Sequence, residues 1–158
     1  MLDKIISGGQ AGADQAAWEA ATAYGVSTGG WMPKGFLTEE GSRPEFAGQF
    51  GAAEMPAGSE VAHTERNVQD SDGTLWFGET TTAGAQATVG ACQRLGKSCM
   101  PVSPSTAFQP AHVATWIGEN QIRTLNVTGN DEREEPEIGK RVERFLGAVL
   151  QQLGHRRV

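Results

Sequence analysis

The Ile5-Ile6 pair leads directly into Ser7-Gly8-Gly9-Gln10-Ala11-Gly12-Ala13-Asp14, and an alanine-rich helical pattern follows. A strand that ends in a glycine-rich turn and opens a helix brings backbone N–H groups close to an anion at the positive end of the helix dipole. This stretch constrains the chain more than any other. It predicts an α/β fold with a phosphate-bearing small molecule at the turn. The spacing is neither that of a P-loop, which ends in Gly-Lys-Ser/Thr, nor that of the dinucleotide fingerprint. A tight turn that merely needs small residues also fits the glycines. The polar Ser7, Gln10 and Asp14 favour a site, although a carboxylate such as Asp14 also stabilises a helix start without a ligand.

The rest of the chain alternates strands and helices. Lys4–Ser7 reads as a strand and Ala13–Tyr24 as a helix, with Ala13, Ala16, Ala17, Ala20, Ala21 and Tyr24 on one face and Gly25 as its stop. Val26–Trp31 reads as a short strand. Phe36–Gly58 is rich in Gly, Pro and Glu without a clear period and reads as a long excursion. Ser59 is placed to cap a helix through Val68. The turn Asp70–Gly73 leads into a buried strand, Thr74–Phe77. Thr80-Thr81-Thr82-Ala83-Gly84 opens a helix to Leu95, followed by a strand over Ser98–Val102. A helix over Pro110–Asn120, a strand over Ile122–Val127 and a closing helix from Pro136 complete the chain. Such alternation implies a single Rossmann-like domain, a three-layer αβα stack around a mainly parallel sheet. Ligands in such sheets bind at the carboxyl ends of the strands. That rule gathers the turns Gly8–Asp14, Gly78–Gly84 and Thr128–Arg133 on one edge.

With 158 residues and a formal charge of −6, the chain has the size for one core but lacks the basic footprint that nucleic acid demands. No apolar run is long enough for a membrane span. The N-terminus runs into a strand and does not read as a signal peptide. Cys92 and Cys99 read as small core residues, and His63, His112 and His155 are too scattered for metal-ligand spacing. The expectation is a cytoplasmic protein without a metal site.

Four blocks, Ile5–Asp14, Gly29–Gly35, Thr64–Thr74 and Leu125–Gly129, resemble the putative molybdenum carrier family. These are Rossmann-like proteins of the YpsA-like SLOG group, related to the molybdenum cofactor carrier and to lysine-decarboxylase-like (LOG) proteins. The resemblance implies a nucleotide or a molybdenum-cofactor-like pterin phosphate as ligand, and a homo-oligomer. Departures from the family pattern remove two anion contacts. Ala11 stands where Thr is common, Gln15 where Arg is common, and Asn130-Asp131 replaces Pro-Arg. LOG-type phosphoribohydrolases carry Pro-Gly-Gly-x-Gly-Thr-x-x-Glu at the position of Thr80–Val89. Here both the double glycine and the glutamate are missing.

Ser7, Gly8, Gly9, Gln10, Gly12 and Asp14 are therefore the first candidate ligand contacts, with Thr81, Thr82 and Gly84 as a second cradle. Lys34 offers a point charge to a phosphate and Arg66 a bidentate fork. Asn67 can read a ring edge or cap a turn, Asp70 can hold a ribose diol or a hydrated cation, and Trp31 can stack on a purine or pterin. Each also has a structural reading: a solvated lysine, a surface ion pair, turn residues, a core tryptophan. Asp72-Gly73 reads as a turn. A binding or carrier protein for a phosphorylated small molecule is the first functional expectation. A nucleotide hydrolase of the LOG type is the alternative, and an interaction protein using the 36–58 excursion is the third.

Overall fold

In a computed structural model, which describes residues 1–59, 62–103 and 109–158, six of the strands form one parallel sheet. In chain order the elements are β1 (Lys4–Ile6), α1 (Ala13–Ala23), β2 (Ser27–Met32), β3 (Leu37–Thr38), β4 (Gly41–Ser42), α2 (Phe46–Phe50), β5 (Ala52–Glu54), α3 (His63–Gln69), β6 (Gly73–Phe77), α4 (Ala83–Leu95), β7 (Ser98–Val102), α5 (Pro110–Glu119), β8 (Thr124–Gly129) and α6 (Ile138–Gln152). The six-stranded sheet runs β5-β2-β1-β8-β6-β7, and β3 and β4 make a separate small hairpin. Every pairing in the large sheet is parallel, with Lys4 opposite both Ser27 and Thr124, and Gly73 opposite Ser98 and Leu125. Counted from β6 through the chain ends to β5, the order is 2-1-3-4-5-6, which begins as the flavodoxin-like doubly wound order does. Leu2 and Leu153 line one surface hollow, so α6 ends beside the start of β1 and takes the place of a crossover helix.

One face of the sheet carries α1, α5 and α6. Ala13, Ala17 and Ala21 of α1 are fully buried, as are Val142, Leu146, Val149 and Leu150 of α6. Small residues allow this close approach: a Cβ on Gly147 would stand 3.2 Å from the Tyr24 ring. The other face carries α3 and α4, where Val68, Ala91 and Cys92 form a smaller cluster. The α4 ends follow local rules. Thr82 Oγ1 accepts the Ala85 N–H at 3.2 Å, and Gly96 closes the helix at φ 64°. Pro110 opens α5 behind a Gln109–His112 capping box.

The 36–58 excursion differs from its expectation, because it contains α2 and the edge strand β5. Phe46 and Phe50, one helical turn apart, pack on Trp18 with centroids 5.5 and 4.8 Å away. A three-residue strand is too short to show alternation, so β5 is not legible as a strand in the sequence. The helix expected from Ser59 begins at His63; residues 60 and 61 lie outside the described residues. Among the described residues no helix is long and apolar enough to cross a membrane.

Candidate functional site

β1 leaves the sheet at Ser7, and the consequences organise the site. Pairing of β1 with β2 ends at Ile6 opposite Gly29. Beyond that point the Asn67 amide replaces the strand: its Oδ1 accepts the Trp31 N–H at 2.8 Å and its Nδ2 donates to the Trp31 carbonyl at 3.0 Å. Asn67 is 2 % exposed and acts as a clamp on β2. Gly30 lets β2 pass the departing chain, since a Cβ there would lie 2.1 Å from the Ser7 carbonyl oxygen.

The turn itself is tightly packed. Gly9 (φ 80°) sits against Met32, and Gly12 (φ 105°) sits against the backbone of Asn130 and Asp131. Gln10 Nε2 donates to the Leu37 carbonyl at 3.0 Å. The Ala11 N–H, just ahead of the Gly12 cap of α1, donates to the carboxylate of Glu39. Thus a side chain from the β3–β4 hairpin occupies the anion seat that the sequence predicts. Burial pushes the Glu39 carboxyl above its ordinary value; the Ala11 N–H opposes this, and nearby Asp131 adds to it.

Beneath the turn lies a polar cleft lined by Gly8, Asp14, His63, Thr64, Asn67, Asn126 and Thr128. Asp14 Oδ1 accepts from Thr128 Oγ1 at 2.7 Å and Oδ2 accepts the Gln10 N–H at 3.2 Å. Burial raises the Asp14 carboxyl to about 7 despite these hydrogen bonds. Burial also holds His63 below the ordinary histidine value, which favours its neutral ring. A Cβ on Gly8 would lie 3.0 Å from Asp14 Oδ2 and 3.3 Å from His63 Nε2. Asn126 Nδ2 donates to Thr74 Oγ1 at 3.2 Å. Asn126 Oδ1 and the Ser7 hydroxyl are buried without a partner.

Of the second predicted cradle only Thr82 joins a polar network, which is built beside it. Glu135 Oε1 accepts from the Glu79 N–H and from Asn130 Nδ2, both at 2.6 Å. Burial pushes Glu135 up, but these donors and Arg141 outweigh it and hold the carboxyl below its usual value. Asn130 also accepts from Thr82 Oγ1 at 2.8 Å. This network stands between the ends of β6 and β8, where the strand order reverses. Thr81 and Gly84 are exposed beside it. The neighbouring Glu132 accepts the N–H groups of Glu137 and Gly139, so within the 132–135 run one glutamate caps α6 and another fills the reversal point.

Arg66, Asp70 and Lys34 are not brought to the turn. Arg66 stacks over Trp31 at 4.6 Å and pairs with Asp70 at 3.4 Å. Trp31 Nε1 donates to Asp70 at 2.8 Å. Trp31 and Asp70 line a groove with Lys4, Ile6, Gly30, Gly51, Ala53 and Thr124, which shares no lining residue with the cleft. Lys34 pairs with Glu54 at 3.1 Å. Asp72 accepts the Arg123 and Thr124 N–H groups and is structural. Among the described residues no cluster of three or more His, Cys, Asp or Glu is arranged to hold a metal.

The sequence reading missed His63, Asn126, Thr128, Glu39 and Glu135. One signal was present for two of them. β8 is a central parallel strand, whose residues are expected to be apolar throughout. Instead Leu125 and Val127 alternate with Asn126 and Thr128, so one face of a buried strand is polar.

A family model described as the circularly permutated YpsA SLOG family matches residues 5–150. The crystal structure of a protein named putative molybdenum carrier protein, from Syntrophus aciditrophicus, superposes with a TM-score of 0.84 at 34 % identity, covering 94 % of this chain and 95 % of that one. No curated protein matches. A sheet whose strand order is regular only when counted through the chain ends agrees with the family's description, and the chain belongs to the circularly permuted YpsA family of SLOG proteins.

Proposed function

We propose that this protein binds a phosphorylated small molecule at the carboxyl edge of its sheet, with the phosphate on the β1–α1 turn in place of the Glu39 carboxylate. The observation that carries this reading is the Ala11 N–H, which already holds an anion supplied by the chain. Burial first, and then the nearby Asp131 and Glu40 carboxylates, disfavour the charge of Glu39 at this N–H. The resemblance to a structure named as a molybdenum carrier supports a ligand-carrying role, for which a nucleotide or a pterin phosphate is the ligand class proposed. A LOG-type hydrolase is disfavoured, because no carboxylate lies between Thr80 and Gly90 at the start of α4.

The test is calorimetric titration of AMP and ribose 5-phosphate into the wild type and Glu39→Ala. An anion at a helix N-terminus is worth about 1 kcal/mol, so removing the competing carboxylate is expected to tighten phosphate-ester binding by roughly five- to tenfold. Absence of binding to both proteins refutes the proposal.

A further inference from the structure

The chain has two cysteines, and the fold brings them together. Cys92 lies in the last turn of α4, and Cys99 is the second residue of β7. Between them Gly96 takes the left-handed conformation at φ 64°, and the Lys97 N–H returns to the Cys92 carbonyl at 2.9 Å. This tight reversal packs Cys99 against the cluster of Cys92, Val68 and Ala91, where the two thiols hydrogen-bond to each other. Both are free thiols, Cys92 buried and Cys99 partly exposed. A hydroxyl completes the arrangement. Thr74 stands opposite Cys99 in the β6–β7 register and is fully buried. Its oxygen accepts from Asn126 Nδ2 at 3.2 Å, so its one proton is left for the Cys92 sulfur. The Cys99 hydrogen bond pulls the Cys92 thiol down to about 7; burial opposes it and Thr74 assists. The same bond, together with burial, pushes the Cys99 thiol up. Sulfurs that only filled space would need neither contact with each other nor a hydroxyl bonded to one of them. Neither cysteine lines the cleft, and the reading of the phosphate site is independent of them.

We propose that Cys92 and Cys99 are a redox-active dithiol, which a low-molecular-weight disulfide oxidises to an intramolecular disulfide tying the end of α4 to the start of β7. After one proton is lost, the two sulfurs share the other. When that proton rests on Cys92, the thiolate is at Cys99, the partly exposed partner. It attacks one sulfur of the small disulfide, and the first small thiolate leaves. The Cys92 thiolate then attacks Cys99 Sγ, and the second small thiolate leaves. Two protein thiols are oxidised, one small disulfide is reduced, and both protons end on the small thiols.

The experiment equilibrates the wild type with mixtures of reduced and oxidised glutathione, quenches with acid, and reads thiols, mixed disulfides and intramolecular disulfides by alkylation and mass spectrometry. The same titration is run on the chain unfolded in urea, so the wild type alone decides the question. The folded protein is expected to form the intramolecular disulfide with an equilibrium constant at least about tenfold above that of the unfolded chain. The closed cycle of folding and oxidation requires the same factor in the folding equilibrium, so the oxidised protein is expected to melt above the reduced one. An equal or smaller constant in the folded protein overturns the proposal, as does oxidation that stops at the mixed disulfide. Two variants read the order of the steps. Cys92→Ala is expected to stop with glutathione on Cys99, and Cys99→Ala to stay reduced while folded. Glutathione taken up by folded Cys99→Ala as readily as by Cys92→Ala overturns the assignment of Cys99 as the point of entry.

Discussion

Replacing Asp14 by Asn should reshape the pH dependence of stability in a way few other single changes would. Asp14 is 4 % exposed and titrates at about 7 in the fold, against a model-peptide value of 3.8. Below about pH 4 the carboxyl is protonated in both folded and unfolded chains and adds no pH dependence. Between about pH 4 and 7 the unfolded chain has released its proton and the folded one has not. Each pH unit therefore lowers the unfolding free energy by about 1.4 kcal/mol. Above about pH 7 both states are ionised, and the accumulated cost of burying the charge is about 4 kcal/mol. Asn carries no such charge. Its oxygen can keep the Thr128 bond, but its NH₂ then faces the Gln10 N–H and the 3.2 Å contact is lost, for about 1 kcal/mol. Asp14→Asn is thus expected to be less stable than the wild type by about 1 kcal/mol at pH 3 and more stable by about 3 kcal/mol at pH 8, with the curves crossing near pH 4.5. Urea denaturation across this range measures both proteins, and their difference cancels the titration of the other acidic groups. A difference that stays constant within about 1 kcal/mol from pH 4 to 8 refutes the assignment of a buried, proton-holding carboxyl.

Two further substitutions test the framework around the site. Asn67→Ala strips both backbone groups of Trp31 of their partners; at about 1–2 kcal/mol each, the melting temperature is expected to fall by roughly 10 °C, and a loss under 2 °C refutes the clamp. Gly129→Ala drives a Cβ to within 2.3 Å of the Phe77 carbonyl oxygen on the neighbouring strand. It is expected to destabilise by more than about 3 kcal/mol in chemical denaturation, and a wild-type midpoint would show that β6 and β8 are not held this close.

The layers of the fold were legible because they rest on short-range periodicity. The alanine face of α1 and the apolar face of α6 repeat at the helical period, and both are buried as the pattern requires. The alternation of strands and helices fixes a parallel sheet. Strand order is different in kind, because it depends on which strands meet and not on any local pattern. Phe36–Gly58 shows where local reasoning ends. Phe46 and Phe50 are spaced by one turn, but Trp18, which they cover, is on another element, and β5 owes its place to the edge of β2.

The site divides along the same line. The glycines of the first turn announced that backbone N–H groups would be exposed to an anion, and the Ala11 N–H does hold one. That the anion is Glu39, 28 residues away, has no local signature, and neither does Glu135, which reaches the Glu79 N–H from 56 residues away. Arg66 and Asp70 illustrate the converse. They share a block with Asn67, but the helical twist sends Asn67 to the backbone of β2 and leaves Arg66 and Asp70 on the ring of Trp31. A motif read along the chain thus joins residues that α3 separates. The polar alternation of β8 was the one local sign of the cleft, because Asn126 and Thr128 occupy positions where burial alone would select valine or leucine. A fold under selection for stability alone would fill such positions with apolar side chains. This strand instead keeps an unpaired Asn126 oxygen and ties Thr128 to the Asp14 carboxyl that burial pushes up to about 7, and polar groups left incomplete in the interior mark where function takes precedence over stability.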